Sequence, residues 1–214
     1  MKKIKINVPS NLSDIKTSQY LKFIKVTKDL EDELTLKKYM VGIFCNIPDN
    51  VVNAMTKTSF DDVSKHINDI LSQTEFDLKR VVKHDGVTYG FIPNLEELTV
   101  GEMADLSEYM KDETKLNKSM GVLYRPITVR NGDKYQIEDY IGGNDLDLPL
   151  DVTLGASFFL RNLMQDLVNY TQNFIAGEVQ TNKKLQNLVE NGGGINQFMD
   201  SLVVTFSNLK MLIN

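Results

Sequence analysis

The side chains able to do chemistry are few and far apart. Among 214 residues there are two histidines and one cysteine. His66 falls between apolar positions of a helical pattern, and His84 falls at a hairpin tip. Cys45 closes the apolar run Val41-Gly42-Ile43-Phe44-Cys45. A zinc site wants paired Cys or His ligands at short spacing, which this set cannot supply. A reactive thiolate wants a cation or imidazole beside it, and none is near in sequence. Cys45 is therefore read as core filler and His66 as a structural imidazole.

The carboxylates tell a similar story. Asp61-Asp62, Glu96-Glu97 and the cluster Asp29, Glu31, Asp32, Glu33 all stand near predicted helix starts, where the macrodipole favours negative charge. Asp145-Leu146-Asp147, after Gly142-Gly143, has the alternating acids of a calcium loop. It lacks the central glycine and the twelfth-position glutamate that such a loop uses. The sequence holds no phosphate-cradling Gly-rich loop, no dinucleotide turn and no nucleophile elbow. The expectation is a chain with no catalytic, cofactor-binding or metal-ligating residues.

Elements that would position these groups follow from periodicity. Residues 3–8 alternate polar and apolar up to Pro9 and predict a short strand. Helices are expected over 17–27, 33–45 and 48–56, and from an N-cap at Ser59 to about 73 with Asp61 and Asp62 in its first turn. Asp85-Gly86 between β-rich runs predicts a hairpin over 76–92, and Asn131-Gly132 predicts another over 127–141. Thr99-Val100-Gly101-Glu102 is a capping box opening a helix with Met103, Leu106, Tyr109 and Met110 on its apolar side. A short helix over 114–124 precedes Arg125-Pro126. After Pro149 comes the longest helix, to about 174, dense in apolar residues. Residues 11–19 echo residues 94–102: in both, a Pro ends a strand-like run and a helix begins soon after. The fold class expected is α+β, helix-dominated, with two short β-hairpins and a long apolar helix. Changes of texture divide it at 1–75, 76–176 and 177–214.

Composition sets the outer bounds. The net charge of −5 and a pI of about 5.1 argue against a general nucleic-acid surface. Lys2, Lys3, Lys5, Lys22, Lys25 and Lys28 bias the first segment positive and read as a solvated face. One cysteine cannot make an internal disulfide, which suits a reducing compartment. The first residues lack an apolar signal core, and no apolar run approaches the ~20 residues needed to span a bilayer. A cytoplasmic protein that binds other proteins is the expectation.

Two stretches carry a likeness to known proteins. Residues 89–102 and 120–127, with the opening residues 12–25, resemble small proteins of tailed-bacteriophage genomes, including crAss-like and related phages of Bacteroidetes hosts. Ile43-Phe44-Cys45-Asn46-Ile47-Pro48 and Ser59-Phe60-Asp61-Asp62-Val63 resemble phage tail-assembly chaperones, from which the long apolar helix and the Gly-preceded final helix depart. The likeness implies a non-enzymatic virion component, portal- or tail-proximal or internal, found in the host cytoplasm during assembly and then in the particle. The alternative it implies is a head- or tail-assembly chaperone, absent from the mature particle. The expected partners are phage proteins, including copies of itself in an oligomer or ring.

The residues expected at protein interfaces are the apolar ones of the last two helical patterns. Phe158, Phe159 and Leu163 belong to the long helix. Phe198, Met199, Leu202, Val203, Phe206 and Leu209 form a stripe over 195–212, after Gly192-Gly193-Gly194. Two readings of that final stripe stay open: an arm that docks on a neighbour, or a helix closing its own core behind a glycine cap.

Overall fold

The computed structural model describes residues 5–142 and 144–178; for Glu113, Met164 and residues 167–178 the description covers the backbone alone. Four helices come first: α1 (Thr17–Thr27), α2 (Glu33–Phe44), α3 (Asp49–Asn53) and α4 (Lys57–Leu71). A hairpin of β1 (Val81–His84) and β2 (Val87–Phe91) follows. Helices α5 (Val100–Tyr109) and α6 (Leu116–Leu123) then lead to β3 (Tyr124–Asn131) and β4 (Lys134–Ile137), and α7 (Leu150–Glu178) ends the described chain. The class is α+β.

The two hairpins make one antiparallel sheet in the order β1-β2-β3-β4. Although α5 and α6 separate them in sequence, β2 and β3 pair through Tyr89↔Pro126, Gly90↔Arg125 and Phe91↔Tyr124. At the first turn Asp85 and Gly86 both take positive φ, 46° and 82°, as a tight two-residue turn requires. The second turn is shifted by one residue from expectation. Asn131 pairs with Lys134, so Gly132 and Asp133 make the turn, with Gly132 at φ 62°. Glycine in the first central position suits the other favoured hairpin turn. Gly90 is needed for another reason: a Cβ there would lie 2.5 Å from the Tyr135 ring, which crosses the sheet to donate a hydrogen bond to the Phe91 carbonyl at 2.7 Å.

Three local expectations are corrected. Residues 5–8 form no strand; Ile6 and Val8 are half-buried and Lys5 and Asn7 exposed, so the alternation is real, but no ladder pairs with it. Helix α4 starts earlier than Ser59, because Thr56 is its N-cap and accepts from the Ser59 amide at 3.3 Å. Asp61 and Asp62 therefore lie past the first turn. On α5 the inward positions are Glu102, Leu106 and Met110, which leaves Met103 52% exposed. Four-residue spacing sets that face, and Met103 lies around the helix from it.

The echo between residues 11–19 and 94–102 is a repeated local structure. Asn11 caps a 3-10 turn (Leu12–Asp14) by accepting from the Ser13 amide, and Asn94 caps another (Leu95–Glu97) by accepting from the Glu96 amide. Two residues later a helix opens in each case. Its third residue turns back to accept the N-cap amide, Gln19 from Lys16 at 3.0 Å and Glu102 from Thr99 at 2.7 Å. The same short-range polar code thus writes the same entry into α1 and α5.

One buried cluster runs from Leu12 through Phe44, Ile67 and Phe91 to Leu160, taking residues from both sides of position 75. Phe91 meets Tyr124 and Phe159 edge-on, at 5.3 and 5.8 Å between ring centroids. The start of α7 closes this core. A Cβ on Gly155 would sit 2.3 Å from the Asp77 carbonyl oxygen, so the helix and residues 77–78 touch backbone to backbone. The α1 entry is locked to the same region: Thr17 N–H donates to the Leu148 carbonyl at 3.0 Å, and the Leu150 N–H to the Ile15 carbonyl at 2.8 Å.

Candidate functional site

The cysteine, both histidines and one acid singled out for chemistry have structural surroundings of their own. Cys45 is buried, and loss of hydration pushes its thiol up to about 11, so it holds its proton at neutral pH. His66 Nε2 meets the Pro9 carbonyl at 3.0 Å; a carbonyl only accepts, so the imidazole donates there. His84 Nε2 lies 3.3 Å from Asp85 within its own turn. Asp147, the second acid of the calcium-like triplet, spends both carboxylate oxygens on Ser18, accepting its amide at 2.8 Å and its hydroxyl at 2.7 Å. It caps α1 from across the chain. Among the described residues no group of three His, Cys, Asp or Glu is placed to hold a metal ion.

The densest polar site is one that sequence reading did not assemble. Glu102 is buried, and each of its carboxylate oxygens has its own partners. One oxygen accepts the Thr99 amide and hydroxyl, both at 2.7 Å, and the other meets Arg125 Nη2 at 2.6 Å. Arg125 leans over the Tyr140 ring, 5.8 Å from its centroid, and the Tyr140 hydroxyl donates to Asp105 at 2.5 Å. One site thus ties α5, β3 and the segment after β4. Burial, the largest influence on Glu102, pushes its pKa up. The hydrogen bonds from Thr99 and the guanidinium of Arg125 outweigh it and hold the carboxyl below the usual range. Tyr140 moves up, first through burial and then through its bond to Asp105. A carboxylate held ionised and a phenol held protonated are poor proton shuttles near neutral pH. The arrangement is a clamp. The capping box had marked Glu102, but only for its bond to Thr99; nothing in the spacing from residue 102 to residue 125 announces the second partner.

A cavity of about 200 Å³ lies between α2 and α3, lined by Thr35, Lys38, Tyr39, Asp49, Val52 and Asn53. It is smaller than pockets that enclose metabolites.

The expected interface residues divide into two groups. Phe158 and Phe159 are half-buried against their own chain: Phe158 stands edge-on to Phe76 at 6.3 Å with Arg161 over its other side, and Phe159 meets Phe91. Leu163 is half-buried just beyond Leu160, the last buried residue of α7 among those described. Phe198, Met199, Leu202, Val203, Phe206 and Leu209 lie outside the described residues. Along α7, burial is continuous from Val152 to Ser157 and returns at Leu160, whereas Asn162, Gln165 and Asp166 are exposed. The described stretch past Leu160 is thus polar on one side, and the all-round apolar surface expected of this helix is not what these residues display. Among the described residues no helix is long and apolar enough to cross a membrane. No protein-family model, curated protein or solved structure matches this chain.

Proposed function

We propose that this chain is a non-enzymatic structural component of a tailed-bacteriophage particle, acting through subunit-subunit contacts. The observation that carries the reading is the course of α7. The helix runs from Leu150 to Glu178, and among the residues whose side chains are described its last buried one is Leu160. The sequence continues with Leu167, Val168, Tyr170, Phe174 and Ile175. A series this apolar wants cover, which a neighbouring subunit would supply.

Further support comes from the segments that resemble phage proteins. Residues 89–102 and 120–127 supply β2, the entry to α5, the end of α6 and the start of β3, which together form the middle of the fold. The chemistry-bearing side chains, in turn, are consumed as caps and clamps. Mass spectrometry of purified particles tests the proposal. Recovery of the chain in fixed proportion to the capsid and tail proteins is the expected result. Abundance in infected cells with absence from particles would replace it with the assembly-chaperone reading.

A further inference from the structure

We infer that β4 pairs with β4 of a second copy of this chain, antiparallel about a two-fold axis at Gln136, so that two sheets join into one. The inference rests on the subunit-contact reading above and names the surface and register of one such contact. β4 is the last strand in the order β1-β2-β3-β4, so among the described residues no strand covers its outer side. Such an edge is a row of backbone donors and acceptors that a further strand can use.

Which groups are on offer follows from the ladder on the other side. The tight turn makes Asn131 and Lys134 partners, and the Glu138 N–H donates to the Pro126 carbonyl at 3.0 Å. Antiparallel strands aim the backbone groups of alternate residues to opposite sides. Lys134, Gln136 and Glu138 therefore spend theirs on β3, and Tyr135 and Ile137 offer theirs outward. The bulge between Ile127 and Val129 lies in β3 and leaves the alternation along β4 unbroken.

Three registers set an outward residue of β4 opposite another. Pairing Tyr135 with Tyr135 places Lys134 against Gln136 and Asp133 against Ile137. Pairing Ile137 with Ile137 places Gln136 against Glu138 and Tyr135 against Asp139. Pairing Tyr135 with Ile137 matches every position at once. Two aromatic–β-branched pairs then exchange backbone hydrogen bonds, Lys134 faces Glu138 on both sides of the axis, and Gln136 faces its own copy, amide to amide. Asp133, which would meet Asp139 one step on, already belongs to the turn. Lys134, Gln136 and Glu138 are exposed and Tyr135 and Ile137 half-buried, the burial pattern of an open edge. A lysine on an edge ordinarily repels a passing strand. Here the register that joins the apolar residues also gives each lysine an acid. The opposite edge has no such self-match, for pairing about Val82 would set Arg80 against His84 and Val81 against Lys83.

Disulfide trapping in the full chain, with Cys45→Ala as background, reads the register. Gln136→Cys sets the two copies of that residue about 4.5 Å apart between Cα atoms, within disulfide reach, and should give a covalent dimer on non-reducing gels. Lys134→Cys alone, whose copies stand roughly 13 Å apart in this register, should give none. Lys134→Cys with Glu138→Cys should trap again. Circular dichroism and thermal melting that match the Cys45→Ala parent establish that substitutions at these exposed positions leave the fold intact. As a second readout, self-association of the unsubstituted chain in sedimentation equilibrium should weaken several-fold with Lys134→Glu, and adding Glu138→Lys should restore it. No trapping at Gln136→Cys, equal trapping at Lys134→Cys, a chain that stays monomeric, or a charge swap that fails to restore would each overturn the inference. Trapped dimers from a chain absent from particles would sink the virion reading alone; a particle protein without trapping would sink this inference alone.

Discussion

At the scale of single residues, the clamp at Glu102 makes the sharpest predictions. Glu102→Gln keeps the shape but leaves the half-buried Arg125 beside a neutral group. Breaking one side of a buried pair usually costs about 3 kcal/mol or more, so a drop of that order in urea-unfolding stability is expected. Thr99→Ala removes one cap oxygen and should cost about 1 kcal/mol. The pH dependence follows from sign. The folded carboxyl of Glu102 titrates below its unfolded value, so its contribution is present above the unfolded pKa and lost as pH falls through the folded one. Glu102→Gln should therefore flatten the acid limb of the stability-pH curve. Cys45 has the opposite sign. Its thiol is raised from 9.0 to about 11, so stability declines as pH rises across that interval. At pH 8 the native thiol should react with a disulfide reagent only as fast as the protein opens, and denaturant should release it at once. Rapid labelling of the native chain would show that the burial is wrong.

At the scale of elements, two kinds of glycine separate cleanly. Gly86 sits at φ 82° with open space around it, so Gly86→Ala meets only backbone strain and should cost about 1 kcal/mol. Gly155 has ordinary helical backbone but a carbonyl 2.3 Å from where a methyl would go, so Gly155→Ala should cost more, about 2 to 3 kcal/mol. Equal losses in thermal or urea unfolding would contradict the contact between α7 and residues 77–78. These elements also mark what was legible in sequence. Short-range codes were read correctly, among them the Asp85-Gly86 turn and the capping box at Thr99. Each is settled within a few residues. The strand expected near residue 6 failed because a strand exists only through its neighbour, and alternation reports burial without saying what pairs. Ser59 was expected to cap α4, but Thr56 takes that place and the helix gains a turn at its start. The second hairpin slipped by one residue because Asn131-Gly132 and Gly132-Asp133 are both acceptable turns.

At the scale of the whole molecule, the joining of two hairpins into one sheet and the reach of Asp147 to Ser18 were not legible. Such contacts depend on where distant segments arrive, which no local pattern encodes. They also carry a consequence for how the chain comes to its structure. Helix α1 opens at Lys16, a poor cap, and its missing hydrogen bonds come from Leu148 and Asp147, while the Thr17 hydroxyl shares a 2.7 Å hydrogen bond with that of Thr153. The first helix is therefore completed by residues synthesised about 130 positions later. A loop that long is entropically expensive to close and rewards the chain only on closure. A ribosome-bound or truncated chain ending near residue 140 should hold helical circular dichroism yet show no cooperative thermal transition. A chain extended to residue 166 should regain one. If the shorter chain melts as sharply as the longer, the latch is ornamental. If it does not, maturation waits on the last stretch to emerge, and until then Ile15 and its neighbours are exposed to whatever chaperones or partners are near.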